Sequence, residues 1–77
     1  MDIKVSTIET FGQFVRDVRK RHTDLGQVEA ARLIGVSPPV MNKLEQGKEV
    51  WLSKALDICN GLGIEIILRF PDDEEAG

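Results

Sequence analysis

The architecture of this 77-residue chain turns on residues 27–48, Gln27-Val28-Glu29-Ala30-Ala31-Arg32-Leu33-Ile34-Gly35-Val36-Ser37-Pro38-Pro39-Val40-Met41-Asn42-Lys43-Leu44-Glu45-Gln46-Gly47-Lys48. The first part reads as a short helix from about Gln27 to Ile34, with Ala31 and Ile34 on its inner face. Gly35 is placed to stop it in a left-handed conformation. Val36 follows as a buried pin, and Ser37 caps a further helix over about Pro38 to Gln46. Proline suits the first helical turn, where an N–H has no intrahelical partner. Pro39 has no N–H to offer, so the Ser37 hydroxyl is expected to accept that of Val40. Met41 and Leu44 point inward, and Gly47 ends the helix.

Working outward, Phe11, Phe14, Val15 and Val18 recur at helical spacing, with Arg16, Asp17, Lys20 and Arg21 opposite them. Thr10 and Gln13 have the spacing of a capping box, so a helix is expected from about residue 10 to 22. Ahead of it Ile3 and Val5 alternate with Asp2, Lys4 and Ser6, which fits either an ordered extended arm or a frayed terminus. On the other side a helix is expected from about Ser53 to Leu62. Its apolar stripe is Leu52, Ala55, Leu56, Cys59 and Leu62, and Gly63 ends it. The period then changes to two: Ile64, Ile66, Leu68 and Phe70 alternate with Glu65, Ile67 and Arg69, the pattern of a strand. The chain thus divides into an arm (1–9), a helical domain (10–63), a strand (64–70) and an acidic tail (71–77).

Composition narrows the functions. Hydrophobic residues make up 42% and charged residues 30%, which is globular. No run approaches the ~18 apolar residues of a membrane span, and no signal sequence opens the chain. The net charge is −3, but four of the thirteen acids, Asp72, Asp73, Glu74 and Glu75, sit together at the end. The other nine face ten basic residues, which leaves room for a locally basic surface. One Cys and one His give no disulfide framework and no zinc site, and a lone thiol suits a reducing cytoplasm. No nucleophile–base pair or metal cluster is present. The chain is read as no enzyme, with no metal and no cofactor.

Two short helices joined by Gly35-Val36-Ser37, with a longer helix before and another after, are the layout of a helix-turn-helix module. Gln27, the mid-helix Ala30-Ala31, the Gly35-Val36-Ser37 turn and the closing Leu44-Glu45-Gln46-Gly47-Lys48 resemble the phage-repressor-like (Xre-type) family. That match covers about residues 11 to 62. The ending, Leu56 to Leu62 followed by Gly63-Ile64-Glu65-Ile66, is similar to HipB-type antitoxins. The fold implied is mainly α, a four-to-five-helix repressor-like helix-turn-helix domain with a C-terminal β-strand pairing across a homodimer. Strand physics points the same way, because a seven-residue strand with no partner of its own leaves both edges open. An antiparallel copy across a two-fold axis closes one through Ile64, Ile66, Leu68 and Phe70. Pairing with the arm through Ile3 and Val5 is the other solution, and one sheet has room for both. Gly26 departs from the family, which usually has Thr or Ser at that cap, and the loop from Arg21 to Leu25 looks about one residue longer.

In such a module the third helix enters the major groove of double-stranded DNA and the second lies across the backbone. The residues expected at the DNA are Gln27, Ser37, Pro38, Pro39, Val40, Asn42, Lys43 and Lys48. Pro38, Pro39 and Val40 offer only apolar contact, best suited to thymine methyls, whereas Lys43 can donate to guanine and Asn42 or Ser37 to other bases. Lys43 is otherwise a solvated surface lysine. Gln27 is either a phosphate contact, as the family match implies, or an exposed polar residue. Lys48, with Arg32 and Lys4 behind it, is a further phosphate candidate. The family likewise implies that Glu45 pairs with an arginine of the first helix, here Arg19. Cys59 reads as packing, His22 as a cation suited to a helix end, and Trp51 as either packing or a partner-binding anchor.

The function implied is a cytoplasmic bacterial repressor, at the nucleoid when DNA-bound, acting as a homodimer on a palindromic operator. Resemblance makes its second partner a HipA-like serine/threonine kinase toxin, held inactive while the complex represses its own operon. A stand-alone or phage-type regulator without a toxin fits the same residues. A protein-binding adaptor that no longer reads DNA is the alternative of a different class, supported by the negative charge and the Pro38-Pro39 pair.

Overall fold

A computed structural model of the chain describes residues 1–72, so the end of the acidic tail lies outside the described residues. Four helices follow one another: α1 (Ile8–His22), α2 (Gln27–Ile34), α3 (Pro38–Glu45) and α4 (Leu52–Leu62). They enclose a small core of Val15, Ala30, Ala31, Val36, Met41, Leu44, Ala55, Ile58 and Cys59. Among the described residues no helix is long and apolar enough to cross a membrane.

The helix α1 starts before Thr10. Its cap is Thr7, whose Oγ1 accepts the Thr10 N–H at 3.1 Å and donates to the Thr10 hydroxyl at 3.0 Å. Thr7 and Thr10 offer the same capping chemistry, and the earlier one adds Ile8 and the acidic Glu9 to the positive end of the helix. Gln13, freed from a capping role, donates instead to Asp17 at 3.0 Å. The buried line of α1 is Gly12, Val15 and Arg19, with Phe11, Phe14 and Val18 partly covered beside it. Gly12 is there because α1 crosses the end of α3 at backbone distance. A Cβ at this position would collide with the carbonyl oxygen of Leu44 and stand 3.0 Å from the Gly47 nitrogen.

The α2–turn–α3 unit forms as its residues dictate. Gly35 takes a left-handed φ of 98° and donates to the Ala31 carbonyl at 2.8 Å, and Val36 donates to the same oxygen at 3.0 Å. Val36 is buried, and Ser37 Oγ accepts the Val40 N–H at 3.3 Å over the two prolines. The helix stops at Glu45, and Gly47, at φ 78°, turns the chain toward α4.

The stripe expected on α4 is rolled. Ala55, Ile58 and Cys59 are its buried residues and Leu62 is partly covered, while Leu52 and Leu56 face out. Two rows at helical spacing compete on this segment, one through Leu52 and Leu56 and one through Ala55, Ile58 and Leu62. The second contains Ile58, large enough to fill the centre of the core beside Met41 and Leu44. Trp51, at the N-cap of α4, does not pack on the domain and is 82% exposed.

After Gly63 the chain makes one last inward contact. Ile64 donates its N–H to the Cys59 carbonyl at 2.8 Å and packs partly against the core. Residues 65–70 are exposed, and among the described residues no β-strand forms. Neither the arm at residues 1–6 nor the segment 64–70 builds a ladder within the chain.

Candidate nucleic-acid interface

The outward row of α3 runs through Pro39, Asn42, Lys43 and Gln46, opposite the buried Met41, Leu44 and Glu45. Pro39 and Lys43 are exposed, and Asn42 is half-buried with its Oδ1 facing Gln46 Nε2 at 3.4 Å. Ser37 is exposed at the head of the helix, where its oxygen already accepts the Val40 N–H, while Pro38 and Val40 are half-covered on its flank. Gln46 was not among the residues expected at the DNA; it lies one turn beyond Asn42 and Lys43, and the same periodicity identifies it. Lys48 is exposed just past Gly47, and Arg32 and Lys4 are also exposed, on the last turn of α2 and in the arm.

Beside α3, the start of α2 is held by a buried polar cluster. Arg19 and Glu45 are each 6% exposed. Arg19 Nε donates to Glu45 Oε2 and Nη2 to Glu45 Oε1, both at 2.7 Å, the two-pronged geometry that fits guanidinium to carboxylate. The remaining terminal nitrogen, Nη1, donates to the Leu25 carbonyl at 3.0 Å. The pair ties α1 to the end of α3 and to the loop before α2. Burial by itself raises the pKa of Glu45, but the hydrogen bonds from Arg19 and Gln27 and the positive charges of Arg19 and Arg16 outweigh it, holding the carboxyl below its ordinary value. The hydrogen bond to Glu45 correspondingly holds the Arg19 guanidinium above its own.

Gln27 belongs to this cluster, which sequence spacing did not show. It is half-buried, and its Nε2 donates to Glu45 Oε1 at 2.8 Å, the same oxygen that accepts Arg19 Nη2. Gly26 caps α2 without a side chain, and the Glu29 carboxylate accepts its N–H at 3.4 Å. Cys59 is buried, and burial pushes its thiol pKa up, which suits packing and opposes reactivity. His22 is exposed on the last turn of α1.

Four helices in this order, with a tight α2–α3 turn and an exposed polar row on α3, make the chain a helix-turn-helix domain. Its fold is that of HipB. The chain matches a HipB Ser-to-Ala variant, solved as an O2 20mer complex, with a TM-score of 0.80 at 18% identity, over 94% of this chain and 100% of that one. It matches HipB in an O4 20mer complex and in a HipA-HipB-O2-O3 complex with a TM-score of 0.79 each, at 18% identity, over 92% of this chain and 100% of theirs. Neither a protein-family model nor a curated protein sequence matches the chain.

Proposed function

We propose that the chain is a sequence-specific DNA-binding repressor that acts as a homodimer and as the antitoxin of a HipA-like serine/threonine kinase, autoregulating the operon of the pair. The observation that carries this reading is the row Pro39–Asn42–Lys43–Gln46, exposed except for the half-buried Asn42, presented by a fold shared along their whole length with HipB chains solved with 20mers and with HipA. The α3 helix enters the major groove, where Lys43 donates to guanine and Asn42 and Ser37 supply further polar contacts. Pro38, Pro39 and Val40 close on thymine methyls. Gln27 and Lys48 hold phosphates on either side and set the depth of insertion.

The segment 64–70 pairs with its copy across the two-fold axis through Ile64, Ile66, Leu68 and Phe70, with the arm ahead of α1 beside it. Support comes from exposure: Leu68 is 92% exposed and Ile66 45%, in a stretch whose side chains alternate at the strand period. The dimer then presents two α3 helices to half-sites about one helical turn, ~34 Å, apart.

The test is fluorescence anisotropy with the DNA immediately upstream of the chain's own gene, across a salt series. Tight, salt-sensitive binding is expected. Lys43→Glu should weaken it by about tenfold or more while leaving the protein's mass in solution unchanged. Unchanged affinity removes Lys43 from the reading surface. Binding no tighter than to unrelated DNA sinks autoregulation, and absence of any salt-sensitive binding leaves the adaptor.

A further inference from the structure

A dihydrogen amide, Gln27 Nε2, and a guanidinium nitrogen, Arg19 Nη2, share one carboxylate oxygen of Glu45, at 2.8 and 2.7 Å. An acceptor-only carboxylate admits just one orientation of the amide, nitrogen toward Glu45 and oxygen away, so the flip open to a surface glutamine is closed. Arg19 fixes the carboxylate in turn, through both of its oxygens, and anchors itself to the Leu25 carbonyl two residues before Gln27's helix begins. The result is a chain of directed contacts from α1 through the end of α3 to the first residue of α2. With one Nε2 hydrogen committed to Glu45, the other and the Gln27 backbone N–H remain to face an anion at the start of α2.

We propose that Glu45 is a positioning residue for DNA binding: it holds the Gln27 amide in the one orientation that presents its second N–H to a backbone phosphate. This rests on the DNA-binding reading above. It assigns Glu45 a role that its charge would argue against, since a carboxylate near a phosphate repels it. Here the charge is matched by Arg19 and buried, and what reaches the DNA is the geometry it imposes on Gln27. Neutral contacts of this kind carry affinity without counterion release, so they differ from the lysines in leaving the salt dependence alone.

The repulsion gives the test its sign. The probe is a 20-base-pair duplex selected from a randomised library by the wild-type protein, with affinity followed by anisotropy and folding by thermal melts. Gln27→Ala should weaken binding by about tenfold, the worth of one charge-assisted hydrogen bond, with the salt slope unchanged. Glu45→Gln removes a negative charge, so field effects alone would tighten binding; the positioning role predicts weakening instead, which disappears in a Gln27→Ala background. The charge-neutral pair Arg19→Met/Glu45→Met covers the case in which the single variant folds poorly. It too should lose about tenfold with Gln27 present and nothing further once Gln27→Ala is added. Tighter binding in Glu45→Gln, or losses that simply add to that of Gln27→Ala, overturns the positioning role while leaving the repressor reading intact. A lower melting temperature with affinity unchanged at low temperature overturns it as well, reducing Glu45 to a structural ion pair. Failure to select any duplex overturns the repressor reading and this proposal with it.

Discussion

The two ends of the helical domain treat their costly groups in opposite ways. Where α1, α2 and the end of α3 meet, one pair of charged residues is enclosed and satisfied: Arg19 and Glu45 are buried, and no buried side-chain polar atom lacks a partner among the described residues. From α4 onward, beyond the inward row of Ala55, Ile58 and Cys59, large apolar groups stay outside, with Leu52, Leu56, Ile66, Ile67, Leu68 and Phe70 all exposed. Burying an ion pair while leaving leucines in water inverts the usual economy of a small domain. The inversion makes sense if the first region is complete within one chain and the second is shaped for a second copy. The first should therefore respond to substitution as a fold does, and the second as an interface does.

The largest effect expected is in the first region. Glu45→Ala strands the Arg19 guanidinium in the core without a counter-charge, a loss of about 3–5 kcal/mol, comparable to much of a small domain's stability. Arg19→Met/Glu45→Met removes both charges and should fold close to wild type. Urea denaturation of the single and double variants checks both. A single variant that loses less than about 1 kcal/mol would mean that water reaches the guanidinium, and the contrast between a closed and an open region would fail at its strongest point.

How far sequence carried depended on the range of each interaction. The Ser37 cap, the left-handed Gly35 and the buried Val36 are local, so the residue types over a few positions settled them. The ion pair of Arg19 and Glu45 came from the family resemblance and is present. Choices between equivalent local solutions were not legible. Thr7 and Thr10 cap equally well on paper, and the rows through Leu52 and Leu56 or through Ile58 both satisfy helical spacing, so tertiary packing decided. Gly12 carried no local signal at all, because its reason is the carbonyl of Leu44 on another helix. The bond from Gln27 to Glu45 spans 18 residues and reveals itself only when α2 and α3 are assembled. The proposed interface with DNA was readable in Pro39, Asn42 and Lys43, since helical periodicity alone puts them on one face.

The second region is broken by Ile66→Lys. This position is about half exposed within one chain, so the helices should lose no more than about 0.5 kcal/mol. In the proposed dimer the same side chain packs in the apolar row shared with the partner copy, and a lysine there puts a charge into each copy's side of that contact. Sedimentation should then report the mass of one chain in place of two. A mass of two chains in the variant sinks the pairing through residues 64–70 and sends the search for an interface to the outward face of α4, at Leu52 and Leu56.

The smallest effect expected sharpens the account of the first region. Gly26 caps α2 with backbone alone, at φ −74° and ψ 175°, angles open to any residue. The nearest atom to a Cβ there is Glu29 Oε1 at 4.0 Å, so a larger side chain fits. Glu29 already accepts the Gly26 N–H, and Gly26→Ser would complete the reciprocal bond from the serine oxygen to the Glu29 N–H. The gain should be only a few tenths of a kcal/mol, or about 1–2 °C in melting temperature for a domain of this size. The reason is that α2 is already held at its first residue by the bond from Gln27 to Glu45. A gain well above 1 kcal/mol would show that the start of α2 frays despite that bond. The rigidity attributed to the cluster would then belong to α1 and α3 alone.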